Sequence, residues 1–99
     1  MQNEPHEMAA EIMHYYGSEH QLVKLCEECG ELVQQAAKCI EKGVPYSEDF
    51  VEELADVRVM LMQFESLLPG VWADRYRGTI WAKLRRQIER IEGETVGDV

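Results

Sequence analysis

The chain has 99 residues, 45% of them apolar, and sets ten basic side chains against nineteen acidic ones for a net charge of −9. That length suits one domain with a small core, of a size that oligomerisation often supplements. The acidic balance excludes generic affinity for nucleic acid backbones or anionic lipid surfaces. Charge is segregated: fourteen acidic and four basic residues up to Gly70, five and six from Val71 onward. No apolar run approaches the roughly 18 residues of a membrane helix, and "MQNEPHEMAAE" lacks the basic start and apolar run of a signal peptide. A cytoplasmic protein is expected.

Turn signals divide the chain into four helical stretches. The first is expected from about Glu4 to Tyr16, with Asn3 or Glu4 as N-cap, Pro5 in the first turn and Gly17 as the stop. The second follows Ser18, which with Gln21 has the form of a capping box, and ends at Lys42 before Gly43-Val44-Pro45. Ser47 is placed to cap the third, Glu48 and Asp49 favour its N-terminal dipole, and Pro69-Gly70 closes it. In the fourth, Gly78-Thr79 is a candidate break between Trp72–Arg77 and a main segment Ile80–Glu92. No alternating strand pattern or repeat occurs. The expectation is one all-α domain, a four-helix bundle over residues 1–92, with residues 93–99 as a flexible tail.

At about 100° per residue, the second helix carries Leu22, Leu25, Cys26, Cys29, Leu32, Val33, Ala36 and Ile40 on one side, which predicts the inward face. Lys24, Glu27, Glu28, Glu31 and Gln35 fall on the other. The CxxC of Cys26 and Cys29 therefore points away from the glutamates. It lacks the strand-to-helix setting of a redox motif and a second cysteine or histidine pair for zinc, so Cys26, Cys29 and Cys39 read as small packing residues facing the core. The third helix is apolar nearly all round. Phe50, Leu54, Val57, Leu61, Phe64 and Leu68 form its main arc, while Val51, Ala55, Val59 and Met62 on the other side suggest enclosure by a partner subunit. Glu53 falls within the main arc, where a carboxylate is costly without a cation or partner. The fourth helix has an apolar stripe of Ile80, Leu84, Ile88 and Ile91 beside Lys83, Arg86 and Arg90.

Two acidic pairs at i, i+3 spacing lie on consecutive helices, Glu28 with Glu31 and Glu53 with Asp56. An antiparallel hairpin can bring the pairs together. Four clustered carboxylates stay ionised only with cations nearby. An all-oxygen set without histidine favours Mg²⁺, with Mn²⁺ as a substitute, over zinc or copper.

"KLCEECGEL" followed by "EELADVRVML" resembles the EExxE … ExxD signature of the MazG-like all-α nucleoside triphosphate pyrophosphohydrolases. Glu27, Glu28 and Glu31 match its first part, and Glu53 and Asp56 its second. The likeness runs from Gln21 to Arg86, since "KLRR" at Lys83 to Arg86 is similar to the basic stretch in the last helix of short, phage- and Gram-positive-type members. The resemblance implies a MazG-like bundle completed by oligomerisation into a homodimer or homotetramer. It also implies a nucleoside triphosphate substrate cut to the monophosphate and pyrophosphate, with Glu28, Glu31, Glu53 and Asp56 as Mg²⁺ ligands. Glu27 would be an outer-shell group or orient the attacking water, so Glu27 and Glu28 are the candidate catalytic residues. Candidates for phosphate contacts are Lys24, Lys38, Lys83 and Arg86. In similar proteins the first helix and the start of the second contribute to the base pocket, which makes His14, Tyr15, Tyr16 and Gln21 candidates there.

Two other classes compete. Glu11 with His14 is a lone ExxH, whereas a di-iron carboxylate bundle needs two such pairs and further glutamates. A non-enzymatic helical dimerisation or regulatory module accounts for the apolar third helix, but it leaves Glu53 unexplained.

Overall fold

The computed structural model describes residues 4–97, with side chains to residue 94. It consists of four α-helices, α1 Pro5–Tyr16, α2 Ser18–Lys42, α3 Glu48–Glu65 and α4 Gly70–Gly97, with no strand among the described residues. They form two compact units, Met1–Leu67 with the first three helices and Leu68–Val99 with the fourth. No helix of the described residues is long and apolar enough to cross a membrane.

Pro5 opens α1 at a position where its missing N–H has no partner to lose, with Glu4 as an N-cap that makes no side-chain bond. Asn3 lies outside the described residues. A single residue, Gly17, joins α1 to α2. Its φ of 84° suits glycine alone, and its N–H bonds Met13 O at 2.8 Å. Ser18 is consequently the first residue of α2 and not its cap, and the capping box expected with Gln21 does not form. The Gln21 side chain is engaged elsewhere. At the far end Gly43 adopts the left-handed conformation, with Gly43 N–H on Ile40 O and Val44 N–H on Cys39 O, the paired bonds of a Schellman stop. Ser47 Oγ accepts from Phe50 N–H at 3.1 Å and starts α3 as its sequence predicts. That helix ends at Glu65, short of Pro69-Gly70, where Ser66 Oγ donates to Gln63 O at 2.6 Å.

Within the first unit α2 and α3 make the most extensive contact, and α1 lies chiefly on α3. The core is thin. Ala9, Met13, Cys39, Val57 and Met60 are its buried apolar residues, and Gln21, Glu28 and Gln63 are buried with them. The inward face of α2 differs from the one its apolar pattern predicts. Gln21, Glu28 and Cys39 turn inward, flanked by the half-buried Leu25, Leu32, Gln35 and Ala36. Leu22, Val33 and Ile40 are 52%, 67% and 80% exposed, and Cys26 and Cys29 are exposed rather than core-facing. The inward direction is thus turned by roughly 70° from the centre of the apolar arc, at about 100° per residue. The arc is wider than one helix can cover, so α3 takes its edge and leaves the rest open.

In the second unit α4 runs through Gly78 without a break. One glycine costs a helix about 1 kcal/mol, too little to divide 28 residues. Thr79 Oγ1 donates to Arg75 O at 2.7 Å, Arg77 pairs with Asp74, and the Arg75 guanidinium lies 5.3 Å over the Trp72 ring. The helix continues to Gly97, past the Glu92 limit expected for it, and so takes in residues 93–97 of the expected tail. Residues 98 and 99 lie outside the described residues.

Candidate metal centre and adjoining pocket

Glu28, Glu53 and Asp56 each bring one carboxylate oxygen within 4.8 Å of the others. Glu53, half-buried, and Asp56, exposed, are one turn apart on α3, and the buried Glu28 of α2 lies close to both. Glu28 is 8% exposed. Its Oε1 accepts from Lys24 Nζ at 3.2 Å, one turn earlier on α2, while its Oε2 is buried with no partner. Glu53 Oε2 is likewise buried and unpartnered. Two orphaned carboxylate oxygens in one small cluster are an arrangement that protein interiors avoid unless something else satisfies them.

The electrostatics agree. Loss of solvent is the main cause that raises the Glu53 carboxyl above its ordinary range, followed by the Glu31 carboxylate, then Asp56 and Glu28. Lys24 is raised by its bond to Glu28 first, and further by Glu27 and Glu31. One ammonium thus balances three glutamates along a single helix flank, and among the described residues neither Glu53 nor Asp56 forms an ion pair with a cation. The donor set fits a hard divalent cation. Oxygens that share Mg²⁺ at about 2.1 Å stand about 3 to 4.2 Å apart, so small side-chain rotations would bring these three to that spacing.

The other candidates divide. Glu31 is exposed on α2 yet close enough to Glu53 to act on it. Glu27 is exposed, 3.8 Å from Lys24 Nζ, and outside the three-carboxylate cluster. Lys38 is exposed on the flank of α2 that carries Glu27 and Glu31. Lys83 and Arg86 belong to the second unit, where they line a hollow of about 290 Å³ with Thr79 and Ala82.

Next to Lys24 and Glu27 opens a pocket of about 530 Å³, lined also by Tyr16, His20, Gln21 and Val23. Of the residues expected to meet a base, Tyr16 and Gln21 are therefore brought together. His14 is not: it borders a separate hollow with Met13, Gly17 and Leu67, because it lies on a different side of α1. Tyr15 is exposed and meets Tyr16 edge-on. Sequence reasoning missed His20, whose ring stacks on Tyr16 at 4.9 Å and 16°. The two are four apart, a spacing that signals contact within one helix. Gly17 interrupts the helix between them, which hides that signal.

No protein-family model, curated protein or solved structure matches the chain, which leaves the site's own geometry as the ground for a functional reading.

Proposed function

We propose that the protein is a Mg²⁺-dependent nucleoside triphosphate pyrophosphohydrolase of the MazG-like kind, acting as a homodimer or homotetramer. The observation that carries this reading is Glu28, buried and with one unpartnered oxygen, in a cluster of carboxylates with Glu53 and Asp56. Solvated helix glutamates have no reason to be so arranged.

Glu28, Glu53 and Asp56 would hold the cation, with Glu31 as a fourth carboxylate beside Glu53. Mg²⁺, when bound, neutralises triphosphate oxygens and acidifies water. Glu27, exposed and outside the cluster, is the base that takes a proton as a water oxygen bonds to the α-phosphorus. The bond from that phosphorus to the bridging oxygen of the β-phosphate breaks, and pyrophosphate leaves with the electron pair. Lys24 pairs with Glu27 at 3.8 Å beside the pocket, and it offers a cation for a phosphate oxygen. Lys38 on α2 carries charge that a further phosphate contact needs. Tyr16 and His20 give the pocket a flat aromatic wall suited to a base.

The test is a panel of canonical and modified nucleoside triphosphates with Mg²⁺, scored for monophosphate and pyrophosphate. Absence of pyrophosphate throughout, or full activity in Glu53→Ala, refutes the proposal. A second reading, a helical dimerisation or regulatory module, is favoured by the exposed Leu22, Val33 and Ile40 on α2. The same panel separates the two, because a module of that kind cleaves nothing.

A further inference from the structure

Gln21 and Gln63 are only 4% and 2% exposed, and a buried amide has to place both its donors and its acceptor. Gln63 Nε2 donates to Met60 Sδ at 3.7 Å, and Gln21 Nε2 donates to Gln63 Oε1 at 2.7 Å. Gln21 Oε1 in turn lies 2.7 Å from His20 Nδ1. A thioether has no hydrogen to give, so Met60 sets the direction of the whole relay. Turning both amides over would put a carbonyl oxygen against the sulfur, and turning one would oppose like groups between the two glutamines. Facing Gln21 Oε1, His20 Nδ1 has to carry the hydrogen. In the neutral ring Nε2 is then a bare acceptor.

His20 is exposed, lines the pocket and is stacked on Tyr16. With Nδ1 engaged by the α2–α3 relay, Nε2 on the other edge of the ring is the nitrogen left for a ligand. Resting on the pyrophosphohydrolase reading, we propose that His20 selects the base: its Nε2 accepts from an exocyclic amino group, so adenine and cytosine are taken in preference to their oxo counterparts hypoxanthine and uracil. A volume of about 530 Å³ has room for either ring size. An oxo group opposite Nε2 sets acceptor against acceptor and leaves both unpaired, which is where a polar site gains its discrimination. Gln21 and Gln63 are positioning residues for His20 and do not touch the base.

The His20 tautomer is read by nitrogen NMR at about pH 8.5, above the usual imidazole range. Nδ1–H is expected, and Nε2–H overturns the proposal. Calorimetric titration with Mg²⁺ compares CMP with UMP and AMP with IMP. The amino member of each pair is expected to bind about five- to tenfold more tightly, a ratio in the range of one neutral hydrogen bond; equal affinities overturn the proposal. His20→Phe keeps a ring against Tyr16 but no acceptor, so its preference should vanish, and a preference that survives overturns the assignment. In Gln63→Met the His20 population should move toward Nε2–H, whereas an unchanged tautomer removes the relay. Discrimination among the monophosphates without cleavage of any triphosphate refutes the hydrolase and supports the pocket; cleavage without discrimination does the reverse.

Discussion

Replacing Glu53 with glutamine removes one charge from the carboxylate cluster and keeps the side chain's shape. In the fold this carboxyl is raised, by desolvation first and then by Glu31, Asp56 and Glu28, while in the unfolded chain it titrates near the usual value of about 4.3. A group with a raised folded-state pKa contributes stability that is fully present below the unfolded value and is lost as pH rises through the folded one. With metal chelated at pH 7.5, ionised Glu53 therefore works against the fold, and Glu53→Gln is expected to melt above the wild type. Below about pH 4 the carboxyl is protonated in both states, so the advantage of the variant should disappear. Saturating Mg²⁺ should reverse the order. A ligand at 100 times its Kd stabilises by about 2.7 kcal/mol, and at about 4–8 °C per kcal/mol for a domain of this size the wild type should rise by about 10–20 °C. The variant, short of one of three clustered carboxylate charges, should gain much less. Thermal melts of both proteins from pH 3.5 to 8, in chelator and in Mg²⁺, read all of these outcomes. A variant that melts below the wild type in chelator at pH 7.5, or an equal Mg²⁺ response in both, would refute the reasoning.

Glu27→Gln should reduce turnover by about 10²- to 10⁴-fold, the usual worth of a general base, and keep the wild-type Mg²⁺-induced rise in Tm; loss of that rise would place Glu27 among the ligands. Gly17→Ala should lower stability by about 1–3 kcal/mol, the cost of holding an L-residue in an extended positive-φ conformation that is essentially confined to glycine. An added β-carbon there meets nothing within 4 Å, so urea unfolding reads the backbone term alone, and a neutral result would contradict the φ of 84°. Leu22→Glu with Val33→Glu should convert a dimer or tetramer to monomer in light scattering at micromolar concentration, whereas an unchanged mass would show that the open α2 face is not the interface.

Helix boundaries set by local chemistry were legible in the sequence. Pro5 and Gly17 bound the first helix, Gly43 stops the second through its left-handed conformation, and the Ser47 hydroxyl starts the third. Each of these acts through two or three neighbouring residues and requires no knowledge of the tertiary fold. The direction in which α2 faces was not legible, because that depends on its partner. Its apolar arc points to Leu22, Val33 and Ile40, whereas α3 takes the edge that carries Gln21, Glu28 and Cys39. A hydrophobic pattern records the sum of everything a helix packs against, including surfaces outside the single chain. The acidic pairs could be named from their spacing. That Glu28 rather than Glu31 lies deepest, and that His20 is tied to Gln21 and Gln63, arises from contacts between α2 and α3, far apart in the chain.

The rotation of α2 joins two properties that its sequence presents as separate. If the apolar arc faced α3, Glu28 would lie toward solvent and its Oε2 would have water for a partner. Because α3 takes the neighbouring edge, Glu28 is drawn into a thin core opposite Glu53 and Asp56, and Leu22, Val33 and Ile40 are left uncovered. The first consequence opposes folding until a cation satisfies the carboxylates, and the second until apolar surface is covered. Both act on one helix, from sides roughly a third of a turn apart. A partner seated on the open face would fix the rotation of α2 and, with it, the direction of Glu28, so oligomerisation and cation binding should reinforce each other. By linkage the coupling is reciprocal: Mg²⁺ should tighten self-association by the same factor by which self-association tightens Mg²⁺ binding. Sedimentation equilibrium at several Mg²⁺ concentrations measures that factor, and a self-association constant independent of Mg²⁺ would show that the two faces of α2 act separately.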